Sequence, residues 1–279
     1  MDDFFVNTRP GEEVSFGKSD FTLPILYFRD DFFVLYYTAN ANKIREILPT
    51  DNLHPICFPN RRAIIAIGAY NYINTSIGPY GEVFSSIPCV YGKKPFPFTG
   101  LIPAIMESKY PGFGVLVQHL PVTKITARDA GRGVWGYTKF VADMEFLVKP
   151  ESIECKLSEE DKHIFTIKTI KRGFFTDDRK PIITYSVKDN QLIKTIIQQK
   201  GVKRISLRTD GCYIEFGNHP MADSIQNLDI SKAPFMSAYY PERYAILPRG
   251  EIIESNIQTF EGYKGMDRDA KHIINYSTS

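Results

Sequence analysis

The stretch AIIAIGAYNYI, from Ala63 to Ile73, carries no charge and mixes β-branched with aromatic side chains, the composition of a largely buried strand. FFVLYYT (Phe32–Thr38) lies upstream of it; GVLVQHL (Gly114–Leu120) and FVADMEFLV (Phe140–Val148) lie downstream. HIFTIKTI, PIITYSV, QLIKTII, RISLRT, CYIEF and YAIL continue the series, punctuated by Gly, Pro, Asn or Asp. In HIFTIKTI, Ile164, Thr166, Lys168 and Ile170 share one parity, while Phe165, Ile167 and Thr169 share the other. Such imperfect alternation suits a sheet with one face buried and the other partly wet. Three short segments read as helices: Asn40–Leu48, which opens on a capping-type Asn and stops before Pro49; Thr123–Trp135; and Met221–Leu228. About ten strands with so few helices predict a β-dominated α+β fold, its antiparallel sheet closed or folded on itself.

Composition narrows the function classes. The chain has 279 residues, 43% hydrophobic and 24% charged, as in an ordinary globular protein, so dominant disorder is excluded. Lys+Arg 34 against Asp+Glu 32 gives a formal charge of +2, too balanced for a nucleic-acid binder that works by phosphate neutralisation. No apolar run approaches the roughly 18 residues a membrane helix needs, and MDDFFVNTRPGEE is too polar for a secretory signal. Neither a nucleic acid nor a membrane is expected as partner, and the expected location is the cytoplasm. Cys57, Cys89, Cys155 and Cys212 form no CxxC pair and read as reduced thiols. No repeat and no Pro/Ser/Gly linker divides the chain. It reads as one domain over residues 1–279, with a weakly patterned arm (1–20) and a polar tail (255–279).

Common site signatures are absent: no GxGxxG after a strand, no GxxxxGK[ST], no HExxH and no GxSxG. His54, His119, His163, His219 and His272 never pair at i,i+3 or i,i+4, so no metal is expected. His119, in an apolar strand, reads as a hydrogen-bonded core histidine, and Lys93–Lys94 as part of a solvated loop. ARDAGRGVWGYTKFVADMEF is different. It places Lys139 where a glycine-rich turn feeds an apolar strand, among Val134, Trp135, Tyr137, Phe140 and Val141. One reading has Lys139 reaching solvent along its methylenes. The other has it desolvated, which disfavours the ammonium and leaves an amine able to form a Schiff base. A nitrogen in bulk solvent, or one clamped by a carboxylate that keeps it charged, would count against the second reading.

These residues resemble the acetoacetate decarboxylase superfamily. GRGVWGYTK is similar to the family's Gly-Arg, spacer, Tyr-Pro-Lys pattern, whose lysine forms the substrate imine, and the Gly131-to-Lys139 spacing nominates Lys139. YFRDDFFVLYYTANANKIREILP (Tyr27–Pro49) resembles the family's N-terminal strand and helix, with Arg29 at its active-site arginine. GPYGEVFSSIP (Gly78–Pro88) resembles the segment carrying its glutamate, which falls on Glu82. CYIEFGNHPMADSIQNL and YAILPRGEII resemble its C-terminal strand, helix and closing strand. The likeness runs from about Tyr27 to Ile253. It implies a closed, cone-like antiparallel β-barrel with a few short flanking helices, often as a homo-oligomer. It also implies a lyase that decarboxylates a β-keto acid through Lys139, with no metal or organic cofactor. Arg29 would orient a substrate carboxylate, Glu82 would position substrate or move protons, and Trp135, Tyr137 and Phe140 would line the substrate site. The bland alternatives are Arg29 paired with Asp30 or Asp31 on the surface, and Glu82 as a turn residue.

The departures matter. Phe140 stands where the decarboxylases usually carry a second lysine, Thr138 replaces the proline, and Gly133 replaces a glutamate that often follows Gly-Arg. AIIAIGA (Ala63–Ala69) lacks a carboxylate the family tends to place there. These changes make acetoacetate itself doubtful and resemble divergent members that carry out aldol condensation and dehydration with pyruvate. A barrel that merely binds a small molecule is the non-enzyme alternative.

Overall fold

The computed structural model describes residues 3–9, 11–96, 99–105, 109–258, 263 and 265–277. A 3-10 turn (Asp3–Phe5) precedes a hairpin of β1 (Glu12–Phe16) and β2 (Ser19–Leu23). There follow β3 (Ile25–Asn40), α1 (Ala41–Glu46), β4 (Leu53–Pro55), β5 (Arg62–Thr75), β6 (Tyr80–Tyr91), α2 (Ile102–Ile105) and β7 (Phe113–His119). Helix α3 (Ile125–Ala130) runs into a π-helical turn, Gly131–Trp135. Next come β8 (Asp143–Val148), β9 (Ser152–Glu159), β10 (Lys162–Ile170), β11 (Phe174–Asp178), β12 (Ile182–Lys188) and β13 (Gln191–Ser206). The chain closes with β14 (Tyr213–Phe216), α4 (Pro220–Gln226), β15 (Met236–Leu247), β16 (Glu251–Ser255) and β17 (His272–Tyr276).

Seven strands close into a barrel in the order β3-β5-β6-β7-β12-β13-β15 and back to β3. Every joint is antiparallel except β7 with β12, which pair in parallel at Val115–Thr184. A second sheet, β14-β10-β9-β8-β17, lies against the barrel. Both faces of β3, β5 and β6 are largely buried, which is why their apolar runs barely alternate, whereas β13 turns Ile196 and Gln198 outward to solvent. On β5, Ile65, Ile67 and Ala69 join the main core, with Met144, Phe146, Cys155 and Ile167 of the second sheet and Ile44 and Ile225 of the helices. Ile64, Ala66, Tyr70 and Tyr72, of opposite parity, face the barrel interior. A second cluster closes one end of the barrel, bringing Phe21 and Leu23 of the hairpin against Trp135 and Val134 of the π turn.

Helix α1 starts where expected, because the Asn40 side chain accepts from the Asn42 and Lys43 amides. The runs QLIKTII and RISLRT prove to be parts of one strand, β13, which is bent by a bulge between Val202 and Arg204. FVADMEFLV is strand only from Asp143. The N-terminal arm is more ordered than its sequence suggests, since it holds hairpin β1–β2. The tail contributes β17, which pairs in parallel with β8. Among the described residues no helix is long and apolar enough to cross a membrane.

Candidate active site

A cavity of about 360 Å³ occupies the barrel interior, and Lys139 and Glu82 both line it. The local sequence explains how the lysine arrives there. Gly131 in the π turn lies so close to the Lys139 stem that a Cβ built on it would sit 2.4 Å from Cδ and 2.6 Å from Cε. Arg132 donates from Nε to the Lys139 carbonyl at 2.5 Å and from Nη2 to the Tyr263 carbonyl at 2.7 Å, pinning the backbone. The Gly-Arg pair therefore makes room for the side chain and holds its main chain. Gly136 ends the turn at φ +67°, where a Cβ would meet the Val187 carbonyl at 2.4 Å. Thr138, in the position of the motif's proline, donates to the Gln118 carbonyl at 2.7 Å.

Lys139 Nζ lies 2.5 Å from Glu82 Oε2, with both side chains over nine-tenths buried. The other carboxylate oxygen, Oε1, accepts from the Tyr72 hydroxyl at 3.1 Å. The Tyr27 and Tyr80 hydroxyls are 3.2 Å apart, and Nζ stands 5.8 Å from the Tyr80 ring centre. Burial, reinforced by the Glu82 charge, holds the Tyr27 and Tyr72 phenols well above their usual range, so both remain donors. Tyr137 also lines the cavity; its hydroxyl is 2.7 Å from Thr184 Oγ1, and burial pushes its phenol up to about 12. The nitrogen is thus out of bulk solvent, but it is clamped by a carboxylate. Of the two placements named above as adverse to an imine, bulk solvent is absent and a carboxylate partner is present.

Three of the nominated residues lie elsewhere. Arg29 is exposed and does not reach the cavity. The cause is a pair of register irregularities in β3, between Tyr27 and Arg29 and between Arg29 and Asp30. They flip the side-chain parity, so Tyr27 faces inward before them and Phe32 after them. Asp30, not Arg29, is buried, and its partner is Arg243 of β15, also beside a register shift. Arg243 grips Asp30 through Nε at 2.9 Å and Nη2 at 3.0 Å and reaches Gln199 at 3.4 Å. Burial pushes the Asp30 carboxyl up to about 6 against the pull of Arg243. Burial opposes the Arg243 charge most strongly, but Asp30 together with Tyr70 and Tyr72 outweighs it and leaves the guanidinium above its usual range. Phe140 is fully buried outside the cavity, 5.0 Å from the Tyr263 ring and 6.4 Å from His219. The position after the lysine therefore faces away from the nucleophile. Trp135 is buried behind the wall, its indole donating to the Pro248 carbonyl at 2.9 Å.

Sequence reasoning missed Asp30, Arg243, Tyr27, Tyr70 and Tyr72, all of which lie at or beside the cavity. Parity alone offered a signal for Asp30, which matches Phe32, Val34 and Tyr36, all cavity-lining. Arg243 pairs across 213 residues of chain, and no local pattern announces it. Where AIIAIGA lacks a carboxylate, the wall is Ile64 and Ala66. Among the described residues no cluster of His, Cys, Asp and Glu could hold a metal ion.

The profile of a family described as acetoacetate decarboxylase (ADC) matches residues 9–256. Among solved structures, an acetoacetate decarboxylase from Legionella pneumophila superposes with a TM-score of 0.65 at 17% identity, covering 91% of this chain and 95% of that one. A second acetoacetate decarboxylase gives 0.59 at 16% identity, over 86% and 91%. The enduracididine biosynthesis enzyme MppR, solved with the condensation product of pyruvate and imidazole 4-carboxaldehyde, gives 0.54 at 12%, over 82% and 88%. No curated protein matches the chain significantly.

Proposed function

This chain belongs to the acetoacetate decarboxylase family, and on that premise we propose that it is an enzyme that holds a keto acid as an imine on Lys139 and releases carbon dioxide from it. The observation that carries the reading is the buried 2.5 Å contact between Lys139 Nζ and Glu82. At that distance a proton can pass directly between Nζ and Oε2, and only the amine that has given up its proton is a nucleophile. Glu82 is therefore the group assigned to take up and return that proton. The neutral amine adds to the ketone, and the acid form of Glu82 protonates the departing hydroxyl, which leaves as water. The iminium takes up the electron pair of the breaking carbon–carbon bond as carbon dioxide leaves. The enamine carbon then gains a proton, and water hydrolyses the iminium to free the ketone and the amine. Tyr72, hydrogen-bonded to Glu82, holds that carboxyl in place through the cycle.

A second reading is a lysine-dependent aldolase-dehydratase that uses pyruvate. The apolar wall at Ile64 and Ala66, in place of a further carboxylate, favours it. It predicts new carbon–carbon bond formation without carbon dioxide release. Borohydride reduction in the presence of acetoacetate or pyruvate, followed by peptide mass mapping, tests the shared step. The expected result is an adduct on Lys139 that is lost in Lys139→Met. No adduct across a panel of keto acids, with ligand affinity unchanged in Lys139→Met, would leave a non-catalytic binding barrel.

A further inference from the structure

We infer, resting on the imine reading, that the carbonyl compound taken by this cavity carries a skeleton of about eight or nine carbons rather than four. Volume is the first argument. About 360 Å³ holds roughly a dozen heavy atoms at liquid density, and acetoacetate would fill about half of that space. Shape is the second. On β6 the lining runs from Glu82 through Phe84 and Ser86 to Pro88, a length of ~20 Å along a strand. The reacting end is therefore one end of an elongated chamber.

The wall chemistry is the third argument. Beyond Lys139 and Glu82 the chamber is faced by Phe32, Val34, Ile64, Phe84, Phe113 and Val115. Its buried cations come with carboxylates of their own: Lys139 with Glu82, and Arg243 with Asp30. Partly buried Lys203 is 2.7 Å from Asp178 in the same way. Exposed Lys180 completes the cationic lining among the described residues. The interior therefore offers a ligand little net charge and much apolar surface. Discrimination falls to hydrocarbon contact, where each buried methylene favours binding about three- to fourfold.

A homologous series of straight-chain 3-oxo acids, about four to ten carbons long, keeps the ketone's electrophilicity constant while the body grows. Borohydride trapping on the intact protein should reach half-completion at a concentration at least tenfold lower for the longest acid than for the shortest. A flat or rising trend overturns the inference. Calorimetric binding of 3-hydroxy acids of the same lengths, which cannot form an imine, supplies the independent arm. Adducts of equal ease at every length, with no length preference among the hydroxy acids, would leave the imine and remove the long body. Absence of adducts, with binding that still tightens with length, would remove the imine chemistry and keep the apolar ligand.

Discussion

At the scale of single residues, the site depends on what Gly131 lacks. Its missing side chain is the space through which the Lys139 methylenes pass, and Glu82 fixes the far end of that stem. Gly131→Ala should therefore push Nζ off its position while the surrounding backbone, already helical, accepts the methyl group. Imine trapping should slow at least tenfold, since misplacement of a reacting atom by ~1 Å costs up to about 100-fold. The thermal midpoint should move by only a few degrees. Trapping at the wild-type rate would mean that the lysine has a second route into the cavity. Lys139 and Glu82 were legible in the sequence because their motifs are local. The Asp30–Arg243 pair was not, because its partners meet only once β3 and β15 are in register.

At the scale of elements, β-branched and aromatic runs revealed most barrel strands, and a side-chain cap revealed the start of α1. What escaped notice has physical reasons. β6 is interrupted in sequence by Gly81, Ser85, Ser86 and Pro88, and Gly81 sits against Met144 and His272, where a Cβ would be within 3.2 Å of both. β17 is specified by docking along β8 rather than by its own pattern. Arg29 was nominated by its match to the family's motif, whereas the parity of cavity-lining Phe32, Val34 and Tyr36 already assigns it to the opposite face. Besides packing Phe21 and Leu23 against Val134 and Trp135, hairpin β1–β2 closes tightly on the π turn at Gly133, where a Cβ would meet the Phe16 ring at 2.4 Å. Phe16 is 44% exposed and has room to swing outward. Gly133→Leu should therefore loosen the hairpin without unfolding the barrel. Limited proteolysis within residues 12–23 should accelerate several-fold while the global unfolding midpoint stays close to wild type. Unchanged cleavage would place the fastening elsewhere, for example at Asp129, which accepts from the Lys18 amide and the Ser19 hydroxyl.

At the scale of the whole molecule, two sets of buried groups respond to acid with opposite sign. Burial holds His119 and His272 down to about 4. As pH falls from about 6.5 toward 4 the unfolded chain binds protons that the folded one refuses, so stability is lost. Burial pushes Asp30 and Asp31 up to about 6. Between about 6 and 4 the folded chain binds protons that the unfolded one does not, so stability is gained. Each group is worth at most about 3 kcal/mol, and the half-buried histidines less. Wild-type stability should change little across this interval, whereas a His119→Gln/His272→Gln variant should grow more stable on acidification to about pH 4.5. Denaturant titrations at pH 7 and pH 4.5 decide it, and a variant that loses stability in acid would contradict the assignment. The barrel strands, finally, divide their labour by alternate positions: Ile65, Ile67 and Ala69 support the architecture, while Ile64, Ala66 and Tyr70 furnish the chamber. Each wall can thus be redecorated on its inner side without touching the side that bears weight, which lets a single scaffold drift from one guest molecule to another while its frame stays standing.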